Sequence, residues 1–243
     1  MAGIRQRLVE RYRLTGADVP FGDPLPSHRT EMEGWFWRVT EPSTGRAIVA
    51  LCSVNRHPAG DWSTTAVALH PGGIVRAGAL DGAVATDSPF TVSAGSGASA
   101  FTAGTDRVDF RLDDLHLRME FSDPFPWPKA FAGGGIFSSI PYLNQYWHPY
   151  RLGGRASGSV EFAGDRWDFT DATLYAERNW GAGFPLRWWW GQAHDFDGAD
   201  VSVAFSGGLL ELGPLKREVA GVVVRLGRKV IRLTPPMPVR SVL

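Results

Sequence analysis

Residues 171–196 read DATLYAERNWGAGFPLRWWWGQAHDF. Four of the chain's ten tryptophans (Trp180, Trp188, Trp189 and Trp190) stand there beside two acids well inside the run, Glu177 and Asp195, and two bases, Arg178 and Arg187. Gly181, Gly183 and Pro185 interrupt the run. A plain core strand would alternate Val, Ile and Leu instead. Indole is large and apolar, with one N–H that wants a partner when buried. Tryptophans clustered round a carboxylate therefore suggest a flat-sided apolar pocket holding one ionisable group. The plainer alternative is a sheet core closed by aromatics. Two further groups could do chemistry. Glu33 precedes Gly34-Trp35 as a second acid, or caps backbone amides at a strand end. His148, within Tyr146-Trp147-His148-Pro149-Tyr150, can titrate near neutral pH, or is a hydrogen-bonded core histidine.

Composition removes several function classes. The formal net charge is +0, from 25 basic and 25 acidic residues, so binding nucleic acid through phosphate contacts has no support. Cys52 is the only cysteine, which excludes an intrachain disulfide and a zinc site built on several cysteines. His70, His116, His148 and His194 lack close metal-ligand spacing. Gly133-Gly134-Gly135 follows a proline-rich loop and does not join a strand to a helix, so it is no phosphate cradle. Ser138-Ser139 lacks the glycines of a nucleophile elbow. No metal and no cofactor are expected. The chain has no apolar run near the roughly 18 residues of a membrane span, nor a signal peptide's apolar core, and a cytoplasmic location is expected. Residues 1–18 form an amphipathic segment, with Ile4, Leu8 and Tyr12 at helical spacing among Arg5, Arg7, Arg11 and Arg13. Such a segment rests on anionic lipid as a peripheral membrane contact, or packs on its own domain.

The elements that must position these residues are strands. With 29 Gly and 17 Pro among many Val, Thr and Trp, the composition favours strands and turns over helices. Strands are predicted over 31–40, 46–55, 62–70 and 74–80. Residues 86–104, rich in Ser, Gly and Ala, leave the pairing open. The clearest hairpin sets Val108, Phe110 and Leu112 against Leu115, Leu117, Met119 and Phe121, alternating with polar residues at period two. Residues 122–141 are a long loop with three glycines, four prolines and several aromatics, read as a lid or wall over a cavity. Further strands are predicted over 142–150, 155–162, 167–170, 172–178, 186–196, 201–206, 219–226 and 229–233. The fold class is all-β, a sandwich or barrel of short antiparallel strands.

These residues carry a resemblance. Glu33 to Val39 (EGWFWRV), then HPYRLGGRASGSVEFAGDRWDF, then the run from Tyr175 to Pro185 (YAERNWGAGFP) and its aromatic-rich strand, resemble the tocopherol cyclase family. Arg178 stands where that family usually has Lys. More distantly the chain is similar to carotenoid 1,2-hydratases and related lipocalin-like pericyclases, with Glu177 at their acid's place. The resemblance implies lipocalin-like antiparallel β domains with an apolar ligand inside or between them. It divides the chain into a lipocalin-like domain over 19–210 and the start of a second β domain over 211–243, expected to be incomplete. Open sheet edges would then invite pairing into a homo-oligomer.

What the resemblance implies chemically is protonation of a trisubstituted alkene, with capture of the tertiary cation by a phenol oxygen in a cyclase or by water in a hydratase. That needs a strong acid in a dry site and a cation-tolerant wall. A carboxyl buried among aromatics keeps its proton near neutral pH because desolvation disfavours its charge. Each indole face stabilises a nearby cation by about 0.5–2 kcal/mol. Glu177 is expected as the acid, with His148 and Glu33 as further proton-transfer candidates. Trp35, Trp147, Trp180, Trp188 and Trp190 are expected as apolar walls, and Asn179 and Gln192 as polar contacts to a quinol head. The alternative for Glu177 is a buried structural ion pair with Arg178, Arg187 or Arg38. The expected partner is an apolar isoprenoid, such as a prenylated quinol. A cyclase is expected, with a hydratase as runner-up. Two other readings stay open: a non-catalytic carrier of an apolar isoprenoid, and a degenerate family member acting through pairing with another chain.

Overall fold

The computed structural model describes residues 3, 4, 6, 7, 31–87, 89–125, 127, 128, 131–139, 143–196 and 199–234. In chain order the strands are β1 (Met32–Thr40), β2 (Ala47–Asn55), β3 (Trp62–His70), β4 (Ile74–Asp81), β5 (Val84–Asp87), β6 (Phe90–Ser96), β7 (Ser99–Gly104), β8 (Arg107–Leu112) and β9 (Leu115–Ser122). After a 3-10 turn (Gly135–Ser139) come β10 (Gln145–Arg151), β11 (Arg155–Phe162), β12 (Asp165–Gly181), β13 (Trp188–Phe196), β14 (Ala199–Leu212), β15 (Leu215–Leu226) and β16 (Lys229–Leu233). The fold is all-β and antiparallel, as the period-two patterns predict: a curled, lipocalin-like sheet and a second, smaller one. Gly3, Ile4, Gln6 and Arg7 are helical and exposed, and the rest of the predicted amphipathic segment lies outside the described residues.

The chain forms two compact units. The first comprises Met32–Phe125 and Gly153–Glu177. Its strands run in the order β4-β3-β2-β1-β12-β11-β9-β8-β7-β6-β5. The sheet curls until β4 comes back against β6 and β8. Arg76 on β4 fastens the curl by gripping Asp114, in the β8–β9 turn, at 2.5 and 2.8 Å. That hydrogen-bonded pairing holds the Asp114 carboxyl below the usual carboxylate range. The interior is filled by side chains from both halves of the curl. Trp35 meets Phe90 at 5.8 Å, Trp37 meets Phe110 edge-on at 6.4 Å, and Phe101 stacks on Phe110 at 5.1 Å. Trp35, expected as a ligand wall, is buried in this interior against Phe90.

Two predicted strands over 167–170 and 172–178 are one, β12. A bulge carries the strand through: Ala156 pairs with Ala172 but Gly158 with Phe169. Asp171 takes φ 54° there, and its N–H is caught by the Ser157 hydroxyl at 3.1 Å. A bulge absorbs an extra residue without ending pairing, so a break in period two is not a break in the strand.

The second unit comprises Met1–Glu31, Pro126–Leu152 and Arg178–Leu243. Its sheet runs β13-β14-β15-β16. The predicted strands over 201–206 and 219–226 are longer, because β14 and β15 pair without a break from Val201↔Leu226 to Leu212↔Leu215. Opposite Trp189 lies Gly207, where a Cβ would fall 2.4 Å from the indole. The glycine lets the ring lie flat on the neighbouring strand. Arg225 ties this sheet to the chain before β11, forking onto Asp200 and donating Nε–H to the Leu152 carbonyl at 3.0 Å.

Candidate active site

The first unit contributes a buried carboxyl. Tyr175 and Glu177 are two apart on β12, so their side chains share one face. Glu177 is 3% exposed, and its Oε2 accepts a hydrogen bond from the Tyr175 hydroxyl at 2.7 Å. Tyr175 is itself fully buried, with Phe36 of β1 edge-on to its ring at 6.4 Å. A phenol proton donated to a carboxyl oxygen stabilises the carboxylate form. Tyr175 was not singled out from sequence, although the Tyr-x-Glu spacing at period two was the available signal.

Glu33, 1% exposed on β1, accepts from the Arg56 guanidinium at 2.7 Å. It is a paired carboxylate. Arg38 is also on β1, and burial lowers its guanidinium from the usual arginine value. Cys52, on β2, is buried, and burial pushes its thiol well up. A thiol held neutral in this way is a packing group and not a nucleophile.

The second unit holds most of the other predicted residues. Trp180 is buried, stacked on Tyr146 with ring centroids 5.5 Å apart and 14° between planes. The buried Arg178 guanidinium lies 4.0 Å from the Trp180 centroid. That indole therefore already serves a cation, the protein's own arginine. The Trp-Gly step follows: Gly181 has φ 142°, and a Cβ there would lie 2.5 Å from the Asn144 carbonyl oxygen. The same carbonyl accepts the Ala182 and Gly183 N–H groups at 2.9 and 3.2 Å. Asn144's side chain is likewise spent on backbone, donating to the Leu209 carbonyl and accepting from the Glu211 N–H. Asn179 accepts from Gln145 at 3.3 Å, and Gln192 meets His194 Nδ1 at 3.1 Å. Arg187 pairs with Glu218 at 3.0 Å.

His148 is fully buried on β10, with Trp127 edge-on to its ring at 4.9 Å. Its Nδ1 accepts the Gly133 N–H at 3.3 Å, so the neutral ring carries its proton on Nε2. This bond, with those from Trp127 Nε1 and Arg232 to the Phe131 carbonyl at 2.8 and 2.7 Å, pins the long loop to its unit. The loop walls a cavity of about 80 Å³, with Gly134, Phe137, Ser138 and Leu143 on one side and β10, β14 and β15 on the others. Of the predicted residues, Trp147 is in its lining. Trp188 and Trp190 pair with Gly208 and Ser206, two lining residues, and so share that sheet face. Trp188 is 54% exposed, with Phe184 tilted against it at 5.3 Å. The Asp195 side chain and residues 197 and 198 lie outside what the structure describes. Among the described residues no cluster of His, Cys, Asp or Glu could hold a metal ion. No helix among them is long and apolar enough to cross a membrane, which says nothing of a strand-built span.

A family model described as tocopherol cyclase-like matches residues 113–239, more than half of the chain. The chain belongs to the tocopherol cyclase-like family. It is similar to a chloroplastic tocopherol cyclase of Zea mays, 36% identical over 87 residues. It is similar also to an Oryza sativa subsp. japonica protein named "Probable tocopherol cyclase, chloroplastic", 38% identical over 87 residues. Each match takes in 35% of this chain and 18% of the plant protein, so the likeness spans under a fifth of those relatives' length. Among solved structures, kievitone hydratase from Nectria haematococca superposes with a TM-score of 0.55 at 13% identity, covering 83% of this chain and 64% of that one. At that identity the likeness is one of fold.

Proposed function

We propose that this protein is an acid-promoted cyclase of a prenylated quinol or related isoprenoid. The observation that carries this reading is the Tyr175–Glu177 pair: a carboxyl 3% exposed, bonded by a buried phenol at 2.7 Å, inside the stretch the family match covers. In the proposed reaction Glu177 gives its proton to the less substituted alkene carbon. The π pair forms the new C–H bond and leaves a tertiary cation. A lone pair of the substrate's phenol oxygen closes the ring, and the phenol proton returns to the acid. Substrate and product are isomers, and no cofactor enters. With water as the capturing nucleophile the same acid would run a hydration. Tyr175 supports the step by stabilising the Glu177 carboxylate between the two proton transfers. Glu33, engaged by Arg56, and His148, engaged by Gly133, are assigned positioning and not proton-transfer roles.

A second reading, a lipocalin-like carrier without turnover, is favoured by the 80 Å³ cavity, whose described lining contains no carboxylate. Replacement of Glu177 by Gln separates the two. The cyclase reading expects turnover of a prenylated hydroquinone to fall by about 10²–10⁴-fold, the contribution of proton transfer by a placed acid, with melting temperature little changed. Unchanged turnover would refute Glu177 as the acid. No turnover in either protein, with ligand still bound, would leave the carrier.

A further inference from the structure

Gly34 stands in the middle of β1, on the face that turns away from Trp35 and Trp37, between Met32 and Phe36. Glycine weakens a strand interior, and where it occurs it usually marks a positive φ, a bulge, or the close approach of another backbone or of a ligand. Its φ lies outside the left-handed region. β1 stays in register with β2 from Met32↔Asn55 to Thr40↔Ala47, so no bulge separates them. Among the described residues, a Cβ there would meet nothing nearer than the Cys52 carbonyl oxygen at 3.6 Å, Met32 Sδ at 3.8 Å and Ser53 Cβ at 4.0 Å, all ordinary contacts. Gly158 on β11 is the contrast, since a Cβ there would fall 2.0 Å from the Arg118 carbonyl oxygen. The reason left for Gly34 is the approach of a ligand.

The neighbours of Gly34 say where that ligand goes. β1 and β12 are adjacent strands of an antiparallel sheet. Phe36 of β1 meets Tyr175 of β12 with ring centroids 6.4 Å apart. The next residue on the same face toward the start of β1 is Gly34, and toward the end of β12 it is Glu177. In an antiparallel pair those two steps run the same way, so Gly34 is set beside Glu177. Glu177 is 3% exposed, whereas Met32, Gly34 and Phe36 are each partly accessible. The missing side chain leaves a notch next to the carboxyl, with a thioether on one side and a phenyl ring on the other.

We propose that Gly34 is a specificity-determining residue: the branched alkene of the substrate reaches Glu177 over the Gly34 Cα, between Met32 and Phe36. The proposal rests on the reading of Glu177 as the acid. Proton transfer needs the alkene carbon within roughly 3–3.5 Å of the carboxyl, and a side chain on Gly34 would stand in that approach. Met32 and Phe36 offer hydrocarbon an apolar surface and give water no hydrogen bond.

The test uses the full chain and geranylhydroquinone. Gly34→Ala and Gly34→Leu are made in the native chain, for turnover, and in the Glu177→Gln chain, for binding by equilibrium dialysis. Alanine fits the space and favours a strand over glycine, so Gly34→Ala should melt at or above the native temperature. One methylene in a fitted apolar site is worth about 10–200-fold. Gly34→Ala should therefore raise KM and Kd by at least about tenfold, and Gly34→Leu by more. Unchanged KM and Kd in a folded Gly34 variant overturn the proposal. A Gly34→Ala chain that melts well below the native one also overturns it, because the fold itself then requires the glycine. If Gly34→Leu does not fold, Gly34→Ala decides alone. Turnover that Glu177→Gln abolishes and Gly34→Ala leaves intact keeps the acid and removes the notch. Binding that Gly34→Ala weakens, with turnover absent or indifferent to Glu177→Gln, keeps the notch and removes the acid. No binding to any of the chains overturns both.

Discussion

Replacing Tyr175 by Phe removes one oxygen from the buried core and keeps the ring. The hydroxyl lost is the one that donates to Glu177 Oε2 at 2.7 Å. Both residues are buried, so water does not replace it freely. If Glu177 is the proton donor, this bond is stronger to the carboxylate formed after proton transfer than to the acid before it. A hydrogen bond to a charged group contributes about 1.5–3 kcal/mol. At about 1.36 kcal/mol per factor of ten, the turnover number should fall by roughly ten- to a hundredfold while KM stays near its original value. The lost bond favoured the carboxylate, so the alkaline limb of the pH–rate profile should also move upward. The structural cost is that of one unmade buried bond, about 1–3 kcal/mol, visible as a lower melting temperature. The assay is steady-state conversion of a prenylated hydroquinone across pH, beside a thermal melt. A variant that is destabilised but turns over at the original rate, with an unmoved pH profile, would show that the pair is structural and that the proton comes from elsewhere.

Two other substitutions or probes test the surrounding account. Gly181→Ala places a methyl 2.5 Å from the Asn144 carbonyl oxygen at a φ of 142°, and should destabilise the chain by about 1–3 kcal/mol or more in chemical denaturation. A fully stable variant would mean the Trp-Gly step is not held as described. The Cys52 thiol, buried and pushed up, should resist a thiol-exchange reagent at pH 8 in the folded chain and react at once in denaturant. Its folded value is raised, so the stability it contributes is full below the ordinary thiol value and is lost only as pH rises through the raised one. Rapid labelling of the folded chain at pH 8 would contradict that burial.

Much of the architecture was legible because period two is loud where side chains are large. Val108, Phe110, Leu112, Leu115, Leu117 and Met119 are all buried on the hairpin where alternation placed them. It was faint where side chains are small. Residues 86–104 form three short strands whose buried positions include Ala94 and Ala103, and an alanine facing a core looks in sequence like a serine facing water. The extension of β14 and β15 through Gly207, Gly208 and Ala220 was hidden for the same reason, and with it the cavity those small residues open. Glu177, a buried carboxyl, was legible as a candidate in the Tyr-Ala-Glu run. Its bond to Tyr175 requires knowing that the two residues share a strand face. Which indoles are walls and which are core was not legible either. Trp35 packs in a sheet interior, Trp180 is committed to Tyr146 and Arg178, and Trp147 reaches a cavity, yet all three look alike in the sequence.

The most direct measurement is turnover in deuterium oxide. Alkene protonation from an acid that exchanges with solvent places one deuterium on a carbon that does not exchange afterwards. The account predicts a ring-closed isomer of the prenylated hydroquinone carrying a single carbon-bound deuterium, formed by the native chain and not by Glu177→Gln. Ring-closed product without deuterium on carbon, or with the same label from both proteins, would contradict it.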